Sequence, residues 1–221
     1  MSAGQIKSIV MDVYERLYSA YGSQHWWPGD TPFEVIIGAI LTQSTAWTNV
    51  EKAIANLKSA GILSAPALRE IPEPDLAALI RPSGYFNVKA RKLKAFVEWL
   101  GQRSNDDLEI LFTARTAALR EELLGVYGIG EETADSILLY AGNKPSFVID
   151  AYTRRIVDRL GIEPGGPAYS DYRHLFMDNL PADAALYNEY HALLVRHGKD
   201  VCRKTRPLCK TCCLERICRS R

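Results

Sequence analysis

The stretch Val126-Tyr127-Gly128-Ile129-Gly130-Glu131-Glu132-Thr133-Ala134, followed by an apolar helical pattern and then by Phe147-Val148-Ile149-Asp150, decides how this chain is read. Two glycines flank one apolar residue where two helical patterns meet, which makes a tight hairpin. Backbone N–H groups directed one way at a helix N-terminus form a nest that binds a phosphate. Downstream, an apolar run closes on a lone carboxylate, Asp150. An acid at a set distance from a phosphate grip points to chemistry on a nucleic acid.

Outward from the hairpin the pattern is helical almost throughout. Ile6, Ile9, Val10, Val13 and Leu17 recur at helical spacing, as do Val35, Ile36, Ala39 and Ile40. Leu76, Leu79 and Ile80 precede the break Arg81-Pro82-Ser83-Gly84; Leu93, Phe96, Val97 and Leu100 line the next helix. Ala134, Ile137, Leu138 and Ala141 form one face of the helix after the hairpin, which stops at Gly142-Asn143. Ile156, Val157 and Leu160 follow Asp150, and Leu186, Tyr190, Leu193 and Leu194 mark the last long helix. No convincing alternating run suggests a strand, so the fold class is all-α.

The 221 residues suffice for one domain with a substantial core, or for two small ones. No apolar run approaches the roughly 18–20 residues needed to span a bilayer, and charges interrupt the N-terminus as they would not in a signal peptide. An intracellular protein, cytoplasmic and nucleoid-associated, is expected. The formal net charge is only +1, but the charge is unevenly placed. Arg81, Lys89, Arg91, Lys92 and Lys94 stand together without an acid, and nine Lys or Arg from Arg196 to Arg221 face only Asp200 and Glu215. Two basic patches on a neutral chain suit a local grip on phosphates; each is equally a solvated face.

All five cysteines lie near the C-terminus: Cys202, Cys209, Cys212, Cys213 and Cys218. The order Cys202-x6-Cys209-x2-Cys212-x5-Cys218 wraps a short loop around one point, as four thiolates holding a [4Fe–4S] cluster require. Disulfides fit an intracellular chain poorly. Tetrahedral zinc, the other alternative, usually takes two short Cys-x2-Cys claws, and one occurs here. Cys213 falls outside the spacing.

With hairpin, aspartate and cysteine loop together, the chain resembles the endonuclease III superfamily of helix-hairpin-helix DNA glycosylases over nearly its whole length. Phe33-Glu34-Val35-Ile36-Ile37-Gly38-Ala39-Ile40-Leu41-Thr42-Gln43-Ser44-Thr45 resembles that family's early helix, whose glutamine reaches into the duplex; Gly128-Ile129-Gly130 matches the hairpin, Asp150 the catalytic aspartate, and Cys202, Cys209, Cys212 and Cys218 the iron–sulfur loop. The resemblance implies a six-helix barrel domain from 24 to 133 that includes the hairpin. A second helical domain from 1–23 and 134–221 would carry the cluster. It also implies double-stranded DNA containing a damaged base as partner. No membrane partner is expected, and a monomer is expected.

One departure matters. Bifunctional members of the superfamily carry a lysine two residues after the second hairpin glycine, which attacks the sugar as an imine-forming nucleophile. Glu132 stands there, and no other lysine neighbours the hairpin in sequence. A monofunctional glycosylase is therefore expected, with Asp150 stabilising the oxocarbenium-like sugar and orienting or deprotonating water. His25-Trp26-Trp27-Pro28 offers aromatic faces that suit a cationic, N-alkylated purine. The Trp pair and Arg81-Pro82-Ser83-Gly84-Tyr85-Phe86-Asn87 are similar to the 3-methyladenine DNA glycosylase branch, in which a lysine matching Lys199 lines the base pocket; Tyr152 is a further pocket candidate. That branch lacks the iron–sulfur cysteines, so the substrate stays open between an alkylated purine, a uracil or thymine mispair and an oxidised pyrimidine. A lyase using an amine such as Lys199, and a non-catalytic binder of damaged DNA, are the remaining alternatives.

Overall fold

The computed structural model describes residues 3–220. Met1 and Ser2, assigned from sequence to the second domain, and Arg221, counted in the C-terminal basic run, lie outside the described residues. As expected, the fold is all-α: among the described residues there is no strand. The chain forms two compact units, Pro28–Gly142 and Met1–Trp27 with Asn143–Arg221.

The unit from Pro28 to Gly142 begins with α2 (Pro32–Leu41), after α1 (Ala3–Tyr21) of the other unit. The Thr31 hydroxyl caps α2 by accepting from the Glu34 N–H at 3.2 Å, and Pro32 sets its first turn. Every residue from Val35 to Leu41 is buried, so α2 is a central helix rather than an amphipathic surface one. Around it lie α3 (Trp47–Ser59), α4 (Ala65–Glu70), α5 (Glu73–Leu79), the long α6 (Phe86–Ser104), α7 (Leu108–Thr113), α8 (Thr116–Leu124) and α9 (Glu131–Ser136), which runs on as a π turn over Ile137–Ala141. The α6 stripe Ala90, Leu93, Phe96, Val97 and Leu100 is fully buried against α4 and α5. One lysine sits in this core. Lys89 is 2% exposed, and its ammonium donates to Leu41 O at 2.8 Å and Ser83 O at 2.6 Å, satisfying carbonyls at the end of α2 and in the 3-10 turn Arg81–Ser83. Burial, and secondarily the neighbouring Lys92, pulls its pKa down to about 8.

The other unit packs α12 (Ala184–Asp200) against α1 and α10 (Ala151–Leu160), with α11 (Tyr169–Met177) beside them. Its centre is aromatic. Phe147 stacks on Phe176 with ring centroids 4.0 Å apart, and Tyr187 and Tyr190 meet Phe147 edge-on. The Tyr190 hydroxyl donates to Val10 O at 2.7 Å, tying α12 to α1. Beyond α12 the cysteine loop is laced to α10 by Arg159, whose guanidinium donates to Arg203 O (2.8 Å) and Lys204 O (3.1 Å).

Both boundaries fall later than the expected 24 and 133. The segment through Trp27 belongs with α12 because Ser23 Oγ and Gln24 N donate to the Glu189 carboxylate at 2.8 and 2.7 Å. Arg196 additionally holds Gln24 Oε1 at 3.1 Å. The stretch from Ala134 to Gly142 stays with the hairpin, since it is one continuous helical run packed on α2.

Candidate functional site

The residues singled out from sequence divide between the two units. Gln43, Gly128, Ile129 and Gly130 lie in the unit Pro28–Gly142; Asp150, Tyr152, Trp26, Trp27, Lys199 and the cysteines lie in the other.

The hairpin joins α8 to α9. Gly128 adopts φ +83°, the left-handed region that a side chain disfavours, and a Cβ there would stand 2.6 Å from Lys92 Cδ. Ile129 plugs into the core, and Arg120 of α8 clasps the buried Asp135 carboxylate of α9 at 2.8 Å and reaches Glu131 at 3.3 Å. The hairpin N–H groups do not all point one way. The Ile129 N–H donates back to Val126 O at 3.1 Å, closing the turn on itself. Ile129 is thus an anchor of the hairpin, and the grip is narrower than three consecutive donors. Gly130 is exposed and N-caps α9 with extended backbone; Glu131 and Glu132, in its first turn, complement the helix dipole.

Gln43 sits just beyond α2, and its carboxamide is fully engaged. Nε2 donates to Gly128 O at 3.0 Å and to Thr133 Oγ1 at 2.9 Å, while Oε1 accepts from the Lys92 ammonium. A lysine only donates and a carbonyl only accepts, so these partners fix which end of the amide is oxygen. Lys92, distant from the hairpin in sequence, lies along it in space. Burial lowers its pKa. No local pattern announces this lysine, because the contact depends on how α6 packs beside the hairpin.

In the other unit, Phe147, Val148 and Ile149 are buried and lead, outside any helix, into Asp150; the Ile149 N–H donates to the Tyr169 hydroxyl at 3.1 Å. This aromatic pedestal fixes where the carboxylate emerges. Asp150 N-caps α10, Oδ1 accepting from the Thr153 N–H at 2.7 Å, while Oδ2 lies 3.9 Å from Nε2 of the buried His191 on α12. Burial lowers the His191 pKa, with Asp150 opposing that shift. No local sequence pattern marks His191; the α10–α12 packing brings it to Asp150.

The remaining pocket candidates are placed as follows. Trp26 and Trp27 are half-buried and meet edge-to-face, with centroids 5.4 Å apart and planes at 69°. They do not present two parallel faces, and they share a unit with Asp150 rather than with the hairpin. Tyr152 is a packing residue: a Cβ on Gly198 of α12 would stand 2.7 Å from the Tyr152 Cβ, and the Arg155 guanidinium lies 5.1 Å from its ring centre. Lys199 is exposed in the last turn of α12. An unanticipated feature is Tyr85, 73% exposed with φ +45° at the start of α6, an aromatic face open for stacking.

The five cysteines are free thiols. Arg159 Nη1 donates to Cys202 Sγ at 3.3 Å, Cys218 Sγ donates to Arg159 O at 3.3 Å, and Cys212 Sγ lies 3.5 Å from His197 Nε2. Cys209 is exposed. An all-thiol donor set with a guanidinium on one sulfur suits thiolate ligation. Among the described residues no group of three or more His, Cys, Asp or Glu closes to metal-binding distance. Cys213 interacts with Tyr21, whose hydroxyl bonds His197 Nδ1 at 2.7 Å.

A glycine hairpin clamped between two helices, in an all-helical chain whose second unit presents a helix-capping aspartate, defines a helix-hairpin-helix DNA-processing protein. The chain belongs to the HhH-GPD superfamily of base excision DNA repair proteins, whose family model matches residues 37–182. It is 44% identical to a protein of Methanocaldococcus jannaschii provisionally named a DNA repair glycosylase, with 96% of this chain and 97% of that one covered. Among solved structures it resembles the Helicobacter pylori 3-methyladenine DNA glycosylase bound to 1,N6-ethenoadenine (TM-score 0.73, 29% identity, 90% and 98% of the two chains). It also shares the fold of endonuclease III in a trapped covalent complex with DNA (TM-score 0.83, 20% identity, 97% and 96%). Endonuclease III-like architecture and glycosylase class are thereby established.

Proposed function

We propose that this protein is a monofunctional DNA glycosylase that removes an N-alkylated purine of the 3-methyladenine type, with Asp150 as its catalytic carboxylate. The observation that carries the reading is the placement of Asp150. One oxygen is pinned by the Thr153 N–H, and the other lies 3.9 Å from Nε2 of the buried His191. As the glycosidic bond breaks, positive charge moves from the alkylated base onto the sugar, and a carboxylate fixed beside the sugar stabilises it there more than in the ground state. The same oxygen can take a proton from the attacking water. The leaving base must first be unstacked, at a cost of a few kcal/mol.

Absence of strand scission is argued from Glu132, which cannot form an imine, and from Lys92, whose ammonium is committed to Gln43 Oε1. Likeness to the Helicobacter pylori enzyme supports the alkylated purine. Cys202, Cys209, Cys212 and Cys218 would hold a [4Fe–4S] cluster, which when bound supplies a rigid core for the basic loop. Action as a monomer in the cytoplasm, at the nucleoid, belongs to the same proposal.

A panel of duplexes bearing 3-methyladenine, uracil, thymine opposite guanine and an oxidised pyrimidine, scored by free-base release under single turnover, tests the substrate. Preferential release of 3-methyladenine is expected. Preference for any other lesion overturns the assignment while leaving glycosylase action intact.

A further inference from the structure

Tyr21, His197, Cys212 and Cys213 form a hydrogen-bonded chain inside one unit that removal of a base does not call on. Tyr21 is the last residue of α1, and His197 lies in the last turn of α12. The His197 imidazole is 1% exposed and is engaged at both nitrogens. Nδ1 lies 2.7 Å from the Tyr21 hydroxyl, which also bonds the Cys213 thiol, and Nε2 lies 3.5 Å from Cys212 Sγ. The backbone adds a second tie, since His197 O accepts from the Cys202 N–H at 2.7 Å. One buried residue therefore touches two of the cysteines whose spacing suits a [4Fe–4S] cluster, Cys202 and Cys212. Cys213, which falls outside that spacing, stands at the far end of the chain.

The direction of the chain follows from what each group can give. A ligand thiolate has no proton and only accepts, so a bond between Cys212 and the imidazole requires the proton on Nε2. Burial disfavours the imidazolium, so Nδ1 then carries a lone pair and takes the Tyr21 O–H. The Tyr21 oxygen is left to accept from the Cys213 S–H. We propose that His197 donates its Nε2–H to the Cys212 sulfur of the bound cluster, and that Tyr21, backed by Cys213, is a positioning residue that holds the imidazole in that tautomer. An N–H donor on a ligand sulfur stabilises the more reduced, more negatively charged state of a cluster and so raises its reduction potential. The inference rests on the cluster reading under the proposed function and not on the identity of the lesion.

The test is protein-film voltammetry on the anaerobically purified protein without DNA, with iron and acid-labile sulfide measured on every sample. His197→Leu removes the donor and is expected to lower the midpoint potential of the cluster. His197→Gln, whose amide donates to the same sulfur, should recover most of that shift. Tyr21→Phe keeps the ring and loses the hydroxyl, so it should lower the potential by less than His197→Leu does. Combined with His197→Leu it should add little, because Tyr21 acts through the imidazole. A parent midpoint in cluster-loaded His197→Leu and Tyr21→Phe overturns the proposal and leaves the cluster reading standing. So does a Tyr21→Phe shift that persists in full in the double variant. A parent protein without iron and sulfide overturns both. If His197→Leu does not fold or load, Tyr21→Phe decides: a lowered midpoint supports the chain, and the parent value overturns it.

Discussion

Asp150 holds two jobs at the scale of one residue, and a substitution can separate them. Asn at this position keeps an oxygen to accept from the Thr153 N–H, so Asp150→Asn should retain fold and DNA affinity while base release falls by about a hundred-fold or more. Asp150→Ala loses the cap as well and should unfold more easily by about 1 kcal/mol. Urea titration beside a single-turnover assay reads both; undiminished excision by the Asn variant removes Asp150 from catalysis. His191 adds a pH signature. Its folded pKa is held below the ordinary 6.5 by burial. As pH falls through about 6.5 the unfolded chain therefore takes up a proton that the folded chain refuses. Stability associated with His191 is complete above about pH 6.5 and is lost progressively below it. Denaturation midpoints at about pH 7.5 and about pH 5.5 should differ more for the parent than for His191→Gln. Asp150 was legible in sequence because an apolar run ending in one carboxylate is a local pattern. His191 and Lys92 were not, since each reaches its partner only through helix packing.

Among the elements, the hairpin was the most legible and also the most altered on inspection. Its two glycines, the helix before it and the helix after it follow from local rules of turn and cap. What local rules do not reveal is the carbonyl that claims the Ile129 N–H, or the lysine that lies on Gly128. Gly128→Ala imposes a left-handed conformation on a side-chain-bearing residue, at roughly 1–2 kcal/mol, and also drives a methyl group into Lys92. Loss of thermal stability together with weakened DNA binding is expected. A variant that binds DNA as the parent does would show that hairpin geometry is not what grips the backbone. Tyr152 and Lys199 were read from sequence by other signals. Tyr152 was proposed for its place beside Asp150 and Lys199 for its match to the 3-methyladenine glycosylase branch; Tyr152 packs on Gly198 and Lys199 is exposed.

For the whole molecule, helical periodicity gave the class, but the two boundaries depended on long-range anchors: Glu189 holding Ser23 and Gln24, and α2 holding the helix that follows the hairpin. The cysteine loop, laced to α10 by Arg159, belongs to the unit that carries Asp150. Anaerobically purified protein should contain iron and acid-labile sulfide in equal amounts, and Cys212→Ser should reduce both; zinc in place of iron would reject the cluster. The central claim, base removal without strand scission, is tested most directly by one time course on a 3-methyladenine duplex, following free base and strand breaks together with borohydride added to trap any imine. Base release with breaks only after alkali, and no trapped adduct, is predicted; breaks without alkali, or a covalent adduct at Lys92 or Lys199, would contradict it.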